Sequence, residues 1–411
     1  MIKKDKRKLA CFFLPVLVAV FLPAGVAAGM DIFGDFHTNL VYRRENKDFL
    51  LGPASGGDLG AYLRGNLYFS LMDRDLYHFM LDLQLEGTLT DRMMPDSTTL
   101  IAPVSLSVNQ LFLQVPLSPY SFVYCGKRNK ETGVSRFFHV SNRISPKFLS
   151  GFDYERNAPG FLEGSFIRSD TLANGFILYF RGAENWDQIS MAAYTDLNYG
   201  NFTADGYLYY EELKNLFFGG NLSYQWGVYQ FYLESIWKGQ AEQAVVVGNT
   251  GNPSDDFLVR DQNNSLSTVF GVALARDRWS LALEYLYRQE GYDREEQRNF
   301  VNYFERYRPK ELTYYSRYAL LRHYLAASWS RSSFFHPDLT LEFSGIVSFQ
   351  PVREDFSKYA AYELSGNIRY MVSQNCALTL YGRYIIGGEY GEFNNFSPEQ
   401  FSLALVLSYL F

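Results

Sequence analysis

Histidine is the side chain best suited to acid–base catalysis near neutral pH. This chain of 411 residues contains five: His37, His78, His139, His323 and His336. The spacing of these histidines from serine and acidic residues does not indicate a Ser-His-acid triad. The sequence has neither a P-loop nor a dinucleotide-binding glycine motif. It also has no C-x-x-C pair and no His/Cys cluster with metal-ligand spacing. The sequence therefore predicts no enzyme activity, no cofactor and no metal site.

A different chemistry is indicated by charged side chains that recur at alternate positions. Between residues 79 and 86, apolar residues occupy the odd positions, whereas Asp82, Gln84 and Glu86 occupy even ones. This alternation is typical of a β-strand with one apolar and one polar face. An Arg or Lys that faces lipid costs roughly 2–4 kcal/mol at the bilayer midplane, so we expect the charged rows to face water. These rows contain more carboxylates, Glu234 and Glu284 among them, than basic residues.

Eighteen such segments would position these side chains. They begin near residues 32, 61, 77, 104, 121, 160, 174, 189, 202, 216, 228, 265, 279, 319, 339, 361, 377 and 401. Most have about ten residues, the length of a tilted membrane-spanning strand, and single-chain bacterial barrels have an even number of strands. We therefore predict an all-β fold, a transmembrane antiparallel up-and-down β-barrel of about 18 strands, with 16 as the alternative count. A phase change at Asn109 and Gln110 predicts a β-bulge.

Composition and connection lengths agree with a barrel. Aromatic residues make up 18% of the chain, yet only the N-terminus has an apolar run as long as a membrane helix. Long connections alternate with short ones, as expected for a barrel with long extracellular loops, short inner turns and both termini in the periplasm. A barrel of this size encloses an aqueous channel.

The N-terminal apolar run is predicted to be a targeting signal. Five basic residues precede it, and it ends at Val26-Ala27-Ala28, so residues 1–28 match a cleaved secretory signal peptide and residues 29–411 form the barrel. The mature chain has 33 basic and 43 acidic residues, a balance that disfavours binding to nucleic acid. Its two cysteines, Cys125 and Cys376, are expected to be isolated strand residues.

The C-terminal segment carries the most specific pattern. Between Phe401 and Phe411 the odd positions are all apolar or aromatic, and the chain stops at Phe. This ending resembles the terminal strand of bacterial outer-membrane β-barrels. The resemblance implies insertion into outer-membrane lipid and recognition by the barrel-assembly machinery through Leu405, Leu407, Tyr409 and Phe411.

The third long connection, residues 127–160, has the opposite charge from the predicted wall. The loop contains seven basic and three acidic residues, and six further residues are aromatic or histidine. We expect this third extracellular loop to fold into the barrel and narrow the channel, so that charged rings and pore radius set selectivity. An ordered cap outside the barrel is the alternative.

Within this loop, Gly126-Lys127-Arg128, Arg136-Phe137-Phe138 and Asn142-Arg143-Ile144-Ser145-Pro146 look similar to the third-loop region of eighteen-stranded alginate-export-like and related substrate-channel porins. Gly133 lacks the preceding aromatic residue of that pattern, and Glu155 departs from it. The resemblance therefore implies where the loop lies and does not identify a substrate.

Together these patterns predict an outer-membrane channel, or porin, for passive diffusion of small hydrophilic solutes. The candidate pore-lining and constriction residues are Arg64, Lys127, Arg128, Arg136, His139, Arg143, Lys147, Glu284, Glu342, Glu363, Arg369 and Arg383. The alternative is a structural or adhesin-type barrel that acts through loops 239–264 and 288–314, although the alternating charge of the second loop is typical of a solvated surface. The sequence leaves open the solute, the charge selectivity and the oligomeric state.

Overall fold

The computed structural model describes residues 30–45, 58–73, 77–91, 104–144, 160–169, 171–180, 189–211, 215–259, 263–307, 320–351, 355–396 and 399–411. The predicted signal peptide and Lys147 lie outside these ranges.

Within the described ranges the chain forms twenty strands. They are β1 (Met30–Glu45), β2 (Asp58–Asp73), β3 (Tyr77–Asp91), β4 (Val104–Ser118), β5 (Ser121–Lys127), β6 (Gly160–Ser169), β7 (Leu172–Phe180), β8 (Ser190–Tyr199), β9 (Phe202–Glu211), β10 (Asn215–Trp226), β11 (Tyr229–Gln240), β12 (Ala244–Val246), β13 (Phe257–Val259), β14 (Asn263–Arg276), β15 (Trp279–Arg288), β16 (His323–Arg331), β17 (Leu339–Phe349), β18 (Ala361–Ser373), β19 (Cys376–Gly387) and β20 (Glu399–Leu410). Strands β12 and β13 pair only with each other, and the other eighteen form one sheet.

The eighteen-stranded sheet is a closed antiparallel barrel. Each strand pairs with its neighbours along the chain, and β1 also pairs with β20, which joins the two ends of the sheet. Every strand begins within four residues of its predicted start. In the β3–β4 register, Asp82 pairs with Gln110 and Leu83 with Val108, so Asn109 is an extra residue and the predicted bulge is confirmed. Cys125 and Cys376 are free cysteines on strands, as predicted.

The two ends of the barrel differ in the length of their connections. At one end, turns such as 119–120, 200–201, 227–228 and 277–278 join neighbouring strands directly. At the other end, connections such as 128–159, 241–262 and 289–322 are long. We call these the short-turn end and the long-loop end. This alternation confirms the predicted up-and-down topology.

The outside of the barrel is apolar and the inside is polar. Leu222, Phe270, Leu364 and Leu405 each have more than 40% of their surface exposed, on rows that alternate with inward-facing residues. Inward-facing Glu163, Glu234 and Glu284, by contrast, are almost completely buried by other parts of the chain. Leucine and phenylalanine rows of this kind are stable only against lipid, because in water their exposure is unfavourable by about 25 cal/mol per Å².

The long connections contain their own packed structure, which we call the loop cap. It consists of the β12–β13 hairpin and four helices: α1 (Pro253–Asp256), α2 (Arg294–Tyr307), α3 (Phe356–Tyr359) and α4 (Glu392–Phe396). None of the helices in the described ranges has the length and apolar character needed to cross a membrane.

Helix α2 is the centre of the loop cap. Phe300 packs against Phe304 and Phe396 with ring centroids 4.6 and 5.2 Å away, and against Phe257 of the hairpin at 5.9 Å. The charged residues of α2 lie on its opposite face. The charged face of the helix agrees with the solvated surface predicted for loop 288–314. The opposite face, which apolar residues spaced three and four apart bury, was not predicted.

Candidate functional site

The third long loop, residues 128–159, is described as far as Ile144, and its segment 133–141 lies against the inner wall. Glu234 of β11 is completely buried there by the loop. The backbone amides of Val134 and Ser135 donate to its Oε2 at 2.9 Å, and the Ser141 amide donates to its Oε1 at 2.8 Å. The hydroxyls of Ser135 and Ser141 also donate to this carboxylate.

A second wall carboxylate, Glu284 of β15, holds the tip of the same segment. The Arg136 amide donates to its Oε1, while the amides of Phe137 and Phe138 donate to its Oε2 at 3.0 and 3.2 Å. Tyr232 of β11 adds a hydroxyl donor at 2.6 Å. Hydrogen bonds to a charged group contribute about 1.5–3 kcal/mol each, so the two carboxylates fix the segment firmly. We call Glu234 and Glu284 the loop anchors.

Gly133 allows the loop to approach Glu234 this closely. Its φ is +107°, a conformation that residues with a side chain rarely adopt. A Cβ atom at this position would lie 2.6 Å from Glu234 Oε2. Glycine is therefore required here both by the backbone conformation and by the contact with the anchor.

Aromatic contacts connect the anchored segment with the loop cap. The ring of Phe138 lies 5.9 Å from the ring of Tyr324, which begins the inward row of β16. Tyr324 donates its hydroxyl to Glu392 of α4 at 2.7 Å. Phe137 and Phe138 belong to the same buried cluster as Phe300 and Phe304. The loop is thus held from two sides, by the wall carboxylates and by the cap.

The base of the described loop segment is held by an ionic network. Arg143 donates two hydrogen bonds to Glu211 of β9, at 3.0 and 2.6 Å, and two to Glu242. Lys238 of β11 lies 2.5 Å from Glu242 and 2.6 Å from Glu290. Arg143 also stacks on the ring of Phe217 at 4.1 Å. The guanidinium of Arg143 is therefore neutralised by carboxylates and held in place.

The carboxylates of this network that lie outside the strands have lowered pKa values. Burial by itself would raise the pKa of Glu242, but the Lys238 and Arg143 cations lower it to about 2. Burial would likewise raise the pKa of Glu290, and Lys238 and Arg288 lower it to about 2. Both groups therefore stay ionised far into the acidic range.

We expect this network to stabilise the folded chain at neutral pH and to stop doing so in strong acid. Because the folded pKa lies below the ordinary value of 4.5, the contribution is complete above that value and is lost as the pH falls through about 2. The melting temperature of the wild type should exceed that of Glu242→Gln at pH 7, and the difference should shrink towards zero near pH 2. A difference that is constant over this range would contradict the role of the network.

The other predicted basic residues of the loop take different positions. Arg136 is exposed beside the anchored segment and makes no ion pair within the part of the chain that the structure describes. Arg128 places its guanidinium over the rings of Tyr124 and Phe112, at 4.7 and 5.3 Å. His139 is half-buried, and its carbonyl accepts a hydrogen bond from the Asn142 amide.

Further candidates lie on other strands of the wall, from two strands away from Glu284 at β17 to the far side of the barrel at β2. Arg64 of β2 pairs with Glu86 of β3, and Arg383 of β19 makes a bidentate pair with Glu363 of β18 at 2.8 and 2.9 Å. Glu342 and Arg369 are exposed on inward rows nearer the short-turn end. Glu342 accepts a hydrogen bond from Asn367. Neither Glu342 nor Arg369 makes an ion pair with another described side chain.

Lys127 does not lie where the sequence predicted. Lys127 pairs with Leu111, and Cys125, two residues earlier, pairs with Leu113. Both leucines are exposed on the outer face. Residues directly opposite each other in a sheet share a face, so Lys127 points outward and its ammonium donates to the Val108 carbonyl at 2.7 Å. The assignment of Lys127 to the pore lining is corrected accordingly: the inward row of β5 continues from Tyr124 into Arg128 instead.

Sequence reasoning missed the partners of the loop. Glu234 was recognised only as one of many inward carboxylates. The pairing of Lys130 with Glu163, and of Lys238 with Glu242 and Glu290, was not predicted. The available signal in the sequence was a short run of residues without bulky side chains, Thr132 to Ser135, which includes a glycine. The backbone amides of such a run are accessible and can bind a carboxylate. Which carboxylate it meets depends on the barrel register and cannot be read from the loop.

The C-terminal residues close the barrel. The amide of Gly34 on β1 donates to the Phe411 carbonyl at 3.1 Å, and the Phe411 amide donates to the Gly34 carbonyl at 3.0 Å. Leu405, Leu407 and Tyr409 form an outward row that is 42–47% exposed. The predicted assembly residues therefore lie on the lipid-facing side of the seam between the first and last strands.

Comparisons with known proteins identify the fold. No family model and no curated protein sequence matches the chain. Among solved structures, it is similar to Acinetobacter baumannii OccAB1, with a TM-score of 0.59 and 10% identity over 94% of this chain and 98% of OccAB1. It is also similar to Pseudomonas aeruginosa OprD, with a TM-score of 0.54 and 9% identity over 94% and 97% of the two chains.

A third similar structure is Pseudomonas aeruginosa OpdK with vanillate, with a TM-score of 0.54 and 10% identity over 93% of this chain and 98% of OpdK. At this identity the likeness concerns the fold, and the full-length coverage extends it to the whole barrel. The chain shares the fold of the Occ and OprD outer-membrane porins.

Proposed function

We propose that the chain is an outer-membrane channel for passive diffusion of small hydrophilic solutes, and that its third loop narrows the lumen. The observation that carries this proposal is the hydrogen bonding of loop segment 134–141 to Glu234 and Glu284 on the inner wall. Eighteen strands enclose a lumen too wide for wall side chains to fill. A loop fixed inside it reduces the cross-section without closing it.

The inner surface suits water and polar solutes. The exposed guanidinium of Arg136 lies beside the anchored loop, and Glu342 and Arg369 are exposed on inward rows. Charged groups at this density keep a channel hydrated and set the selectivity of the narrowest part. The similarity in fold to the OprD and Occ porins supports the same function.

In this proposal the short-turn end and both termini face the periplasm, and the loop cap faces outward. The lipid-facing seam formed by β20 and β1 is the part that the barrel-assembly machinery would recognise. The exposed row of Leu405, Leu407 and Tyr409 is available for such recognition before insertion.

Liposome swelling tests the proposal. Purified protein in liposomes should admit small uncharged sugars, with rates that fall as the sugar becomes larger, whereas liposomes without protein should not swell. Absence of swelling with a correctly folded barrel would contradict a diffusion channel. It would instead favour a barrel that acts through its loop cap.

A further inference from the structure

Two aspartates on neighbouring strands face each other on the inner wall. Asp196 of β8 pairs directly with Asp205 of β9, three residues from the turn that joins these strands. Like charges directly opposite each other destabilise a sheet. Oδ1 of Asp196 is fully buried and accepts no hydrogen bond from any residue that the structure describes. Neither aspartate makes an ion pair with a side chain that the structure describes, and the nearby ammonium of Lys130 is bound to Glu163.

The position next to this pair is aromatic. Tyr194 pairs with Tyr207 on the same inward rows, and their rings stack with centroids 6.3 Å apart. Both tyrosines are only 9% exposed, and Tyr207 also stacks on Tyr209 at 5.8 Å, so the carboxylates and not the ring faces would attract a cationic solute.

The chain itself shows that this wall binds an ammonium group. Lys130 of the third loop places its Nζ 3.9 Å from the centre of the Tyr194 ring and 2.5 Å from Glu163 Oε1. Glu163 is only 1% exposed, and its second oxygen, Oε2, has no hydrogen-bond partner among the described residues. Lys130 is thus a tethered cation held by a carboxylate and a tyrosine ring, directly beside the aspartate pair.

The charge balance of the rest of the wall agrees with this chemistry. Six basic residues at the level of the loop lie within 3.0 Å of a carboxylate and are neutralised by it: Arg64, Lys130, Arg143, Lys238, Arg288 and Arg383. Near the short-turn end, the inward carboxylates Asp31, Asp35 and Glu342 join the aspartate pair, with Arg369 as a basic neighbour. The positive and negative charges of the described wall are therefore balanced at the level of the loop, whereas the wall near the short-turn end is acidic.

We propose that the channel prefers cationic solutes, and that Asp196 and Asp205, beside Glu163, form a binding step on the solute path for an ammonium or guanidinium group. This inference rests on the proposed function, because it requires that solutes pass this wall. Anions would meet paired arginines and then an acidic exit, whereas cations would find a counter-charge.

Reversal potentials in planar bilayers under a KCl gradient test the proposal. We expect the wild type to prefer K⁺ over Cl⁻ by roughly 3-fold or more at moderate salt, where charges lining a pore are only partly screened. The Asp196→Asn/Asp205→Asn variant should lose most of this preference. Asp338→Asn, which removes one carboxylate charge in a short turn outside the barrel wall, should leave the preference unchanged.

A matched pair of solutes tests the ligand class. Methylguanidinium and N-methylurea have similar size and shape and differ in charge. Methylguanidinium chloride should carry current and lower the K⁺ current in the wild type more than in the double variant, and N-methylurea should have no effect on either.

The possible outcomes separate this proposal from the proposed function. A conducting wild type with no preference or with anion preference would overturn the cation proposal and leave the channel function intact. Cation preference that survives in the double variant would overturn the role of the aspartate pair. A folded barrel that does not conduct would overturn both.

Discussion

Replacing both loop anchors with glutamine, Glu234→Gln/Glu284→Gln, is expected to increase single-channel conductance and to make the open current noisy. Each anchor uses both carboxylate oxygens to accept hydrogen bonds from backbone amides of segment 134–141. A glutamine has only one acceptor oxygen, and its NH₂ group would face an amide N–H. Since each bond to a charged acceptor contributes about 1.5–3 kcal/mol, the segment should leave the wall for much of the time.

The matched control for the anchors is Glu342→Gln. Glu342 faces inward on β17 but contacts Asn367 of the neighbouring strand and no described residue of the loop. This variant removes the same charge and should keep a steady current. An unchanged current in the double variant, with a folded barrel shown by heat-dependent gel mobility, would show that the loop does not restrict the lumen.

Gly34→Val is expected to prevent most of the chain from forming a closed barrel. A Cβ at Gly34 would lie 2.7 Å from the Asn66 carbonyl oxygen of β2 and 2.5 Å from the Phe411 ring. The substitution therefore pushes the first strand away from the last residue, whose backbone makes two hydrogen bonds to Gly34. Overpacking usually costs about 1–3 kcal/mol, and here it acts at the seam on which closure depends.

Gly164→Val is the control for the seam, because a Cβ at Gly164 of β6 meets nothing within 4 Å. The measurement is the fraction of heat-resistant, folded barrel recovered from the outer membrane. Equal recovery of the two variants would contradict a special role for Gly34 and Phe411.

The strands could be predicted because every position is constrained by two different solvents. Lipid outside and water inside impose a period of two on each strand, so even the bulge at Asn109 was visible as a change of phase. The loops are not constrained in this way. Helix α2 was missed because its charges dominate the sequence, although Phe300, Val301, Tyr303 and Phe304 follow helical spacing.

The site was only partly predictable for a related reason. Glu284 could be named from its inward position, but its partners are backbone amides, which every residue except proline carries. Lys127 was misplaced because it was grouped with the basic residues of the loop, although the alternation of β5 continues through it and puts it on the outer face with Cys125. Arg136 and Arg143 were both named as pore residues, yet only the fold shows that Arg143 is neutralised by Glu211 and Glu242.

The central claim, that the third loop lies inside a conducting barrel and narrows it, is tested most directly by single-channel conductance of a chain that lacks residues 133–151. This deletion removes the anchored segment and leaves Glu234 and Glu284 on the wall. The deleted chain should form a folded barrel with a conductance clearly above that of the wild type. A folded barrel with equal or lower conductance would contradict the claim.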